Sequence, residues 1–115
     1  MTGAVAVDAA ERAVARLVEL SADLRACALV GPDGSVLACS HEAPWAERAA
    51  ELWEAADSTR ADAGPATQVQ VAAEGGEVFA TRVDGVTAIA VTDRFALSSL
   101  MLCDLRAALR ELSEG

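Results

Sequence analysis

Cys39, Ser40 and His41 stand together at the end of an alternating run, with Cys27 in the run before it, and these are the side chains best suited to chemistry. Cys39 and His41 are two residues apart on a predicted strand and so share a face. With Cys27 on the neighbouring strand, they offer a thiol and imidazole pair, or three ligands that a fourth would complete into a zinc site. Against this, the chain has no C-x-x-C, and a cysteine inside a buried strand ordinarily behaves as a small core hydrophobe. Ser40 beside His41 offers a nucleophile and its base, but neighbours on an extended strand point to opposite faces and are expected not to meet. His41 is the only histidine, and all nine basic residues are arginine. A two-histidine zinc centre, a phosphate-loop lysine and a Schiff-base lysine are therefore excluded. Neither G-x-G-x-x-G nor G-x-S-x-G occurs. The expectation is no catalytic residue, no metal and no cofactor: a protein that is not an enzyme and keeps its odd number of cysteines as free thiols.

The elements around these residues follow from the hydrophobic period, which changes in the order α-β-β-α-β-β-β-α. A helical stripe (Ala10, Ala13, Val14, Leu17, Val18) spans about Asp8 to Leu24, with Asp8 and Glu11 as a capping box. Two alternating runs, Ala26 to Val30 and Val36 to Ser40, flank Gly31-Pro32-Asp33-Gly34. If Pro32, Asp33 and Gly34 form a three-residue loop, Gly31 pairs with Ser35, and counting outward places Cys27 opposite Cys39. Pro44 opens a second helix that Gly64-Pro65 ends, so it runs to about Ala63. Three strands follow, Thr67 to Ala73, Glu77 to Val83 and Val86 to Thr92, joined by Glu74-Gly75-Gly76 and Asp84-Gly85 as an antiparallel meander. A last helix covers about Ala96 to Glu111. Cys27 to Val30 and Val86 to Val91 are apolar at almost every position, the mark of strands covered on both faces.

At 115 residues the chain reads as one domain, residues 1–115. Eighteen acidic residues against nine basic ones give a net charge of −9. Nucleic-acid binding then lacks its main driving force, and no aromatic-studded strand offers base stacking. The longest uncharged run with large side chains, Phe95 to Cys103, is about half of a bilayer span, and the N-terminal residues lack the pattern of a secretory signal, so the expected address is the cytoplasm.

On the second helix, Trp45 and Trp53 share one face among small residues, which suits either a core position above the sheet or close docking against a partner. Glu47, Glu51 and Glu54 form a separate acidic strip. Arg48 and Arg60 on the same helix read as i,i+3 partners of Glu51 and Asp57, the alternative being arginines that reach into a partner's site.

The element order, the CALVGPDGSVLACS hairpin, the alanine-rich second helix, the GGEVFATRVDGVTAIAVTD meander and the LSSLMLCDLRAALREL helix together resemble the roadblock/dynein-light-chain family, over about residues 8 to 112. That resemblance implies an α+β fold with a five-stranded antiparallel sheet ordered 2-1-5-4-3, one helix on one face and two on the other. It also implies dimers that serve small Ras-like GTPases as scaffolds or activators; bacterial members include the partner of the Mgl polarity GTPase. The expected function is a homodimeric, non-enzymatic regulator or scaffold of a bacterial small GTPase. The alternatives are a dimerisation module without GTPase contact and a thiol or metal sensor. The expected dimer edge is the outermost, uncharged meander strand: Thr67, Gln68, Val69, Gln70, Val71, Ala72 and Ala73. The expected partner surface is Glu47, Glu51 and Glu54 with whatever part of Trp45 and Trp53 is exposed.

Overall fold

The computed structural model describes residues 3–58, 64–73, 75–93 and 98–114, in the order α1 (Gly3–Leu20), β1 (Leu24–Val30), β2 (Val36–Cys39), α2 (Trp45–Ser58), β3 (Gln68–Ala73), β4 (Gly76–Val83), β5 (Val86–Asp93) and α3 (Ser98–Glu114). The strands form one antiparallel sheet ordered β2-β1-β5-β4-β3. This is the expected α+β arrangement, and strand alternation explains its layers. Cys27 and Leu29 of β1, Phe79 of β4 and Ala88 and Ala90 of β5 face α1 and α3. Ala28, Val30, Ala80 and Ile89, one residue out of phase, face α2. β1 and β5 are thus covered on both sides, which accounts for their continuous apolar runs.

The two faces are filled differently. On one, Ala10, Ala13, Val14 and Leu17 of α1 and Met101, Leu105, Ala108 and Leu109 of α3 interdigitate around Phe79. So many alanines let both helices approach the sheet closely. On the other, the sheet offers mostly small side chains, and the single helix α2 covers them with Trp45, Ala49 and Trp53, spaced by four residues along one stripe.

Several boundaries differ from the sequence reading. α1 begins at Gly3 and runs through Asp8, so Asp8 and Glu11 lie inside the helix and form no capping box. It ends at Leu20; a turn in which the Leu24 N–H donates to Ser21 O leads directly into β1. α2 is described to Ser58, and the expected extension to Ala63 lies outside the described residues.

The first hairpin has the expected loop but not the expected register. Gly31 N–H donates to Ser35 O at 2.7 Å, Gly34 has φ of 86°, and Asp33 Oδ1 accepts from both the Ser35 N–H and its hydroxyl. These two bonds hold the exposed Asp33 carboxyl below its ordinary pKa. Beyond the loop, however, Val30 pairs with Val36 whereas Leu29 pairs with Ala38, so Leu37 is an extra residue on β2. That bulge shifts every later pair by one. Cys39 lies opposite Ala28, and Cys27 is bonded to Ser40, whose N–H donates to Cys27 O at 2.9 Å. The expected Cys27–Cys39 pair does not form, and the two thiols belong to opposite faces of the sheet.

Two tight connections close the meander. Asp84 and Gly85 have φ of 53° and 84°, the two left-handed residues of a type I′ hairpin turn. Gly76 is required for a different reason: a Cβ there would stand 2.2 Å from Thr92 O on the adjacent strand. Gly76→Ala must push β4 from β5 where the two strands begin to pair. We expect it to lower unfolding free energy by about 1–3 kcal/mol, the usual cost of overpacking, measured by urea denaturation.

Candidate functional site

The sheet has two open edges, and they are unlike. β2 is four residues long and bulged, two features that blunt an edge against further pairing. β3 is six residues long, regular in its pairing with β4 from Gln68↔Thr81 to Ala73↔Gly76, and free of charge and proline. The ladder fixes which of its groups are open. Arg82 N–H donates to Thr67 O, so 67, 69, 71 and 73 turn their backbone groups to β4, and Gln68, Gln70 and Ala72 turn theirs outward. Side chains alternate across the sheet: Val69 packs toward α2, and Val71, 40% exposed, lines a groove beneath it. Gln68 and Gln70 lie on the α3 side, where Gln70 is hydrogen-bonded to Glu77.

The groove between α2 and the β3 side of the sheet has a volume of about 400 Å³. Its walls are Leu52 and Ala55 of α2 and Val71, Val78 and Val91 of the strands, with Arg48 and Glu51 at the rim. An apolar groove thus opens onto an unpaired strand edge. Both features ask to be covered by the same neighbour.

α2 is held in place by a polar latch. Arg82 lies on the α2 face of β4, two residues from Ala80, and its guanidinium stacks 4.1 Å from the Trp53 ring centroid. Its terminal nitrogen donates to both carboxylate oxygens of Asp57 at 3.0 Å, and its Nε donates to Ala66 O at 2.7 Å. Asp57 Oδ1 also accepts from the Ala66 N–H, and Trp53 Nε1 donates to Thr87 Oγ1. At the other end of α2, Trp45 Nε1 donates to His41 O at 2.8 Å. Asp57 therefore pairs with Arg82 from a distant strand, and the expected Arg60 partner lies outside the described residues. The signal was present in strand parity: Arg82 shares the covered face with Ala80, where a cation needs a partner.

The expected site residues separate accordingly. Trp45 and Trp53 are 2% and 7% exposed, each with its indole N–H bonded internally, so they are core anchors and add almost nothing to an exposed partner face. The sheet's small residues leave room that only large rings fill. Glu47, Glu51 and Glu54 are exposed. Arg48 makes no ion pair with Glu51; both stand at the groove rim.

Ser40 and His41 do meet, with Ser40 Oγ 3.0 Å from His41 Nδ1. β2 ends at Cys39, so strand alternation no longer applies to them. Ser40 Oγ also accepts the Cys27 N–H, and no carboxylate contacts the His41 ring among the described residues, so nothing orients the imidazole as a base. Burial pushes the Cys27 thiol up to about 11, against the opposing effect of Ser40's hydrogen bond. It is protonated and inert at neutral pH. All three cysteines are free, and no cluster of three metal-ligating side chains occurs among the described residues.

No protein-family model matches the chain, and no curated protein matches it. Solved structures do. A Roadblock/LC7 domain from Streptomyces avermitilis superposes with a TM-score of 0.79 at 18% identity, covering 90% of this chain and 94% of that one. The gliding protein MglB from Thermus thermophilus gives 0.77 at 15% identity, over 95% of this chain and 89% of that one. LokiProfilin1, solved in complex with rabbit actin, gives 0.64 at 12% identity, over 90% and 94%. The chain has the roadblock/LC7 fold.

The latch is open to a direct test. Arg82→Ala removes an ion pair that is about one-third exposed, with side chains at 22% and 40%, and leaves Asp57 and Ala66 O without their guanidinium. A loss of about 1–2 kcal/mol in urea unfolding is expected, discounted for solvent screening. A loss within experimental error would show that α2 rests on its tryptophans alone.

Proposed function

We propose that this protein is a non-enzymatic homodimer, paired edge to edge through β3, that acts as a regulator or scaffold of a small Ras-like GTPase. The observation that carries the dimer is the β3 edge with the apolar groove beside it: a flat, uncharged strand whose Gln68, Gln70 and Ala72 backbone groups point outward. Antiparallel pairing of two such edges joins two five-stranded sheets into one of about ten strands and sets two α2 helices side by side. Thr67 and Ala73 bound the paired stretch, and Val69 and Val71 face the groove side of the joint.

The GTPase assignment is supported by the resemblance of the hairpin and meander to the roadblock family, whose members serve such GTPases, and by the likeness of fold to MglB. The proposed docking surface is the acidic platform made by Glu47, Glu51 and Glu54 of both α2 helices. Its charge steers a partner with a basic patch. Any acceleration of hydrolysis then works by remodelling the partner's own switch segments, since this chain has no phosphate-binding loop; Arg48 is the described arginine on the same helix and lines the groove with Glu51. The second reading, a dimerisation module that ignores GTPases, shares the β3 joint and differs only at α2.

One pair of experiments covers both parts. Light scattering is expected to report twice the chain mass for the wild type. Gln70→Pro deletes an outward N–H while leaving the β3–β4 ladder intact, and is expected to give a folded monomer. In a pull-down against a small Ras-like GTPase from the same source, binding is expected to depend on GDP or GTP and to be lost in Glu47→Arg/Glu51→Arg. A wild-type monomer contradicts the joint; binding that ignores nucleotide state favours the second reading.

A further inference from the structure

The charges of α3 are sorted by side. Asp104 and Glu111 line the groove toward α1, where Glu111 is ion-paired to Arg16 at 2.8 Å. Cys103, Arg106 and Arg110 line a separate cleft of about 280 Å³ toward β3, together with Leu102 and Gln68. Both arginines are exposed and neither is ion-paired among the described residues, although Arg110 also borders the α1 groove. Among the described residues no acidic side chain lines this cleft, in a chain whose net charge is −9. It lies on the α3 side of the sheet, and the exposed Glu47 and Glu51 lie on the helix covering the other side.

The two surfaces match in spacing as well as sign. Glu47 and Glu51 are four residues apart on α2, and Arg106 and Arg110 are four residues apart on α3, so each pair rises about 6 Å along its helix. Two carboxylates one turn apart can then each meet a guanidinium, the planar fork that suits them best. We propose that dimers of this protein stack front to back, the acidic α2 face of one docking into the Arg106–Arg110 cleft of the next. The contact joins unlike surfaces, so it does not close on itself and builds short stacks with concentration. Repulsion between chains of net charge −9 keeps it weak and confines it to concentrated protein. Because the same carboxylates form the platform proposed for the GTPase, a bound partner would end a stack. The stacking rests on the dimer reading only for the unit that repeats.

Sedimentation velocity on the full-length chain, followed over a concentration series, tests this by charge exchange. The wild type is expected to move from dimer to larger species as concentration rises. Glu47→Arg/Glu51→Arg and Arg106→Glu/Arg110→Glu are each expected to stop at the dimer, because each sets like charges against one another. An equimolar mixture restores opposite charges at every heterotypic contact while keeping the wild-type mean charge, and is expected to recover the larger species. A wild type that remains dimeric at every concentration, or a mixture that behaves like its two components, overturns the stacking and leaves the dimer standing. A wild type that shows no dimer at any concentration counts against the β3 joint, and the mixing result still decides the stacking.

Discussion

The geometry of both proposed surfaces depends on one guanidinium. Arg82 stands on β4, yet it touches the ring of Trp53, the carboxylate of Asp57 and the carbonyl of Ala66. Through Trp53 and Asp57 it holds the C-terminal half of α2, and through Ala66 it fixes the chain just before β3. Among the described residues α2 has no second helix beside it on its face of the sheet, and it lies there through Trp45, Ala49 and Trp53. A shape-filling contact of that kind leaves some freedom to slide, whereas a stacked cation that is also hydrogen-bonded to a carboxylate fixes direction. The acidic face and the apolar groove beside β3 are placed by the same anchor.

The contrast between the two sheet edges gives this fold its polarity. One extra residue, Leu37, kinks the β2 edge, displaces Cys39 from Cys27 and leaves only four residues in the strand. The β3 edge has no such interruption, no charge on its own strand, and a groove along its α2 side. An exposed edge of this kind is a hazard for a monomer and an asset for a dimer. Gly76 serves the same end by letting β4 lie flush against β5, which keeps the outer ladder regular.

Hydrophobic period alone yielded the order of the eight elements and both doubly covered strands, because burial on two faces erases alternation. Turn chemistry also read through: Gly34, Gly75 and Gly85 all have positive φ at the expected turns. What was not legible depended on contacts distant in sequence or on single-residue irregularities. The bulge at Leu37 leaves no mark on the apolar pattern, so the register of Cys27 came out one residue wrong. The Asp57–Arg82 pair spans 25 residues and was hidden behind a nearer arginine. The tryptophans were ambiguous because an alanine-rich helix looks alike whether its rings face a sheet or a partner; the small side chains at Ala28 and Ala80, across the sheet, decide it. Ser40 and His41 met because the strand stopped one residue before the pattern did.

The central claim is that the outward backbone groups of β3 are paired in solution. Amide hydrogen exchange read residue by residue tests it most directly, because Gln68, Gln70 and Ala72 have no backbone acceptor within the chain's own sheet, whereas Val69 and Val71 face β4. In the dimer, outward and inward amides of β3 are both protected, and dilution below the dissociation constant exposes the outward set alone. Fast exchange at Gln68, Gln70 and Ala72 at every concentration, with Val69 and Val71 protected, would contradict the account.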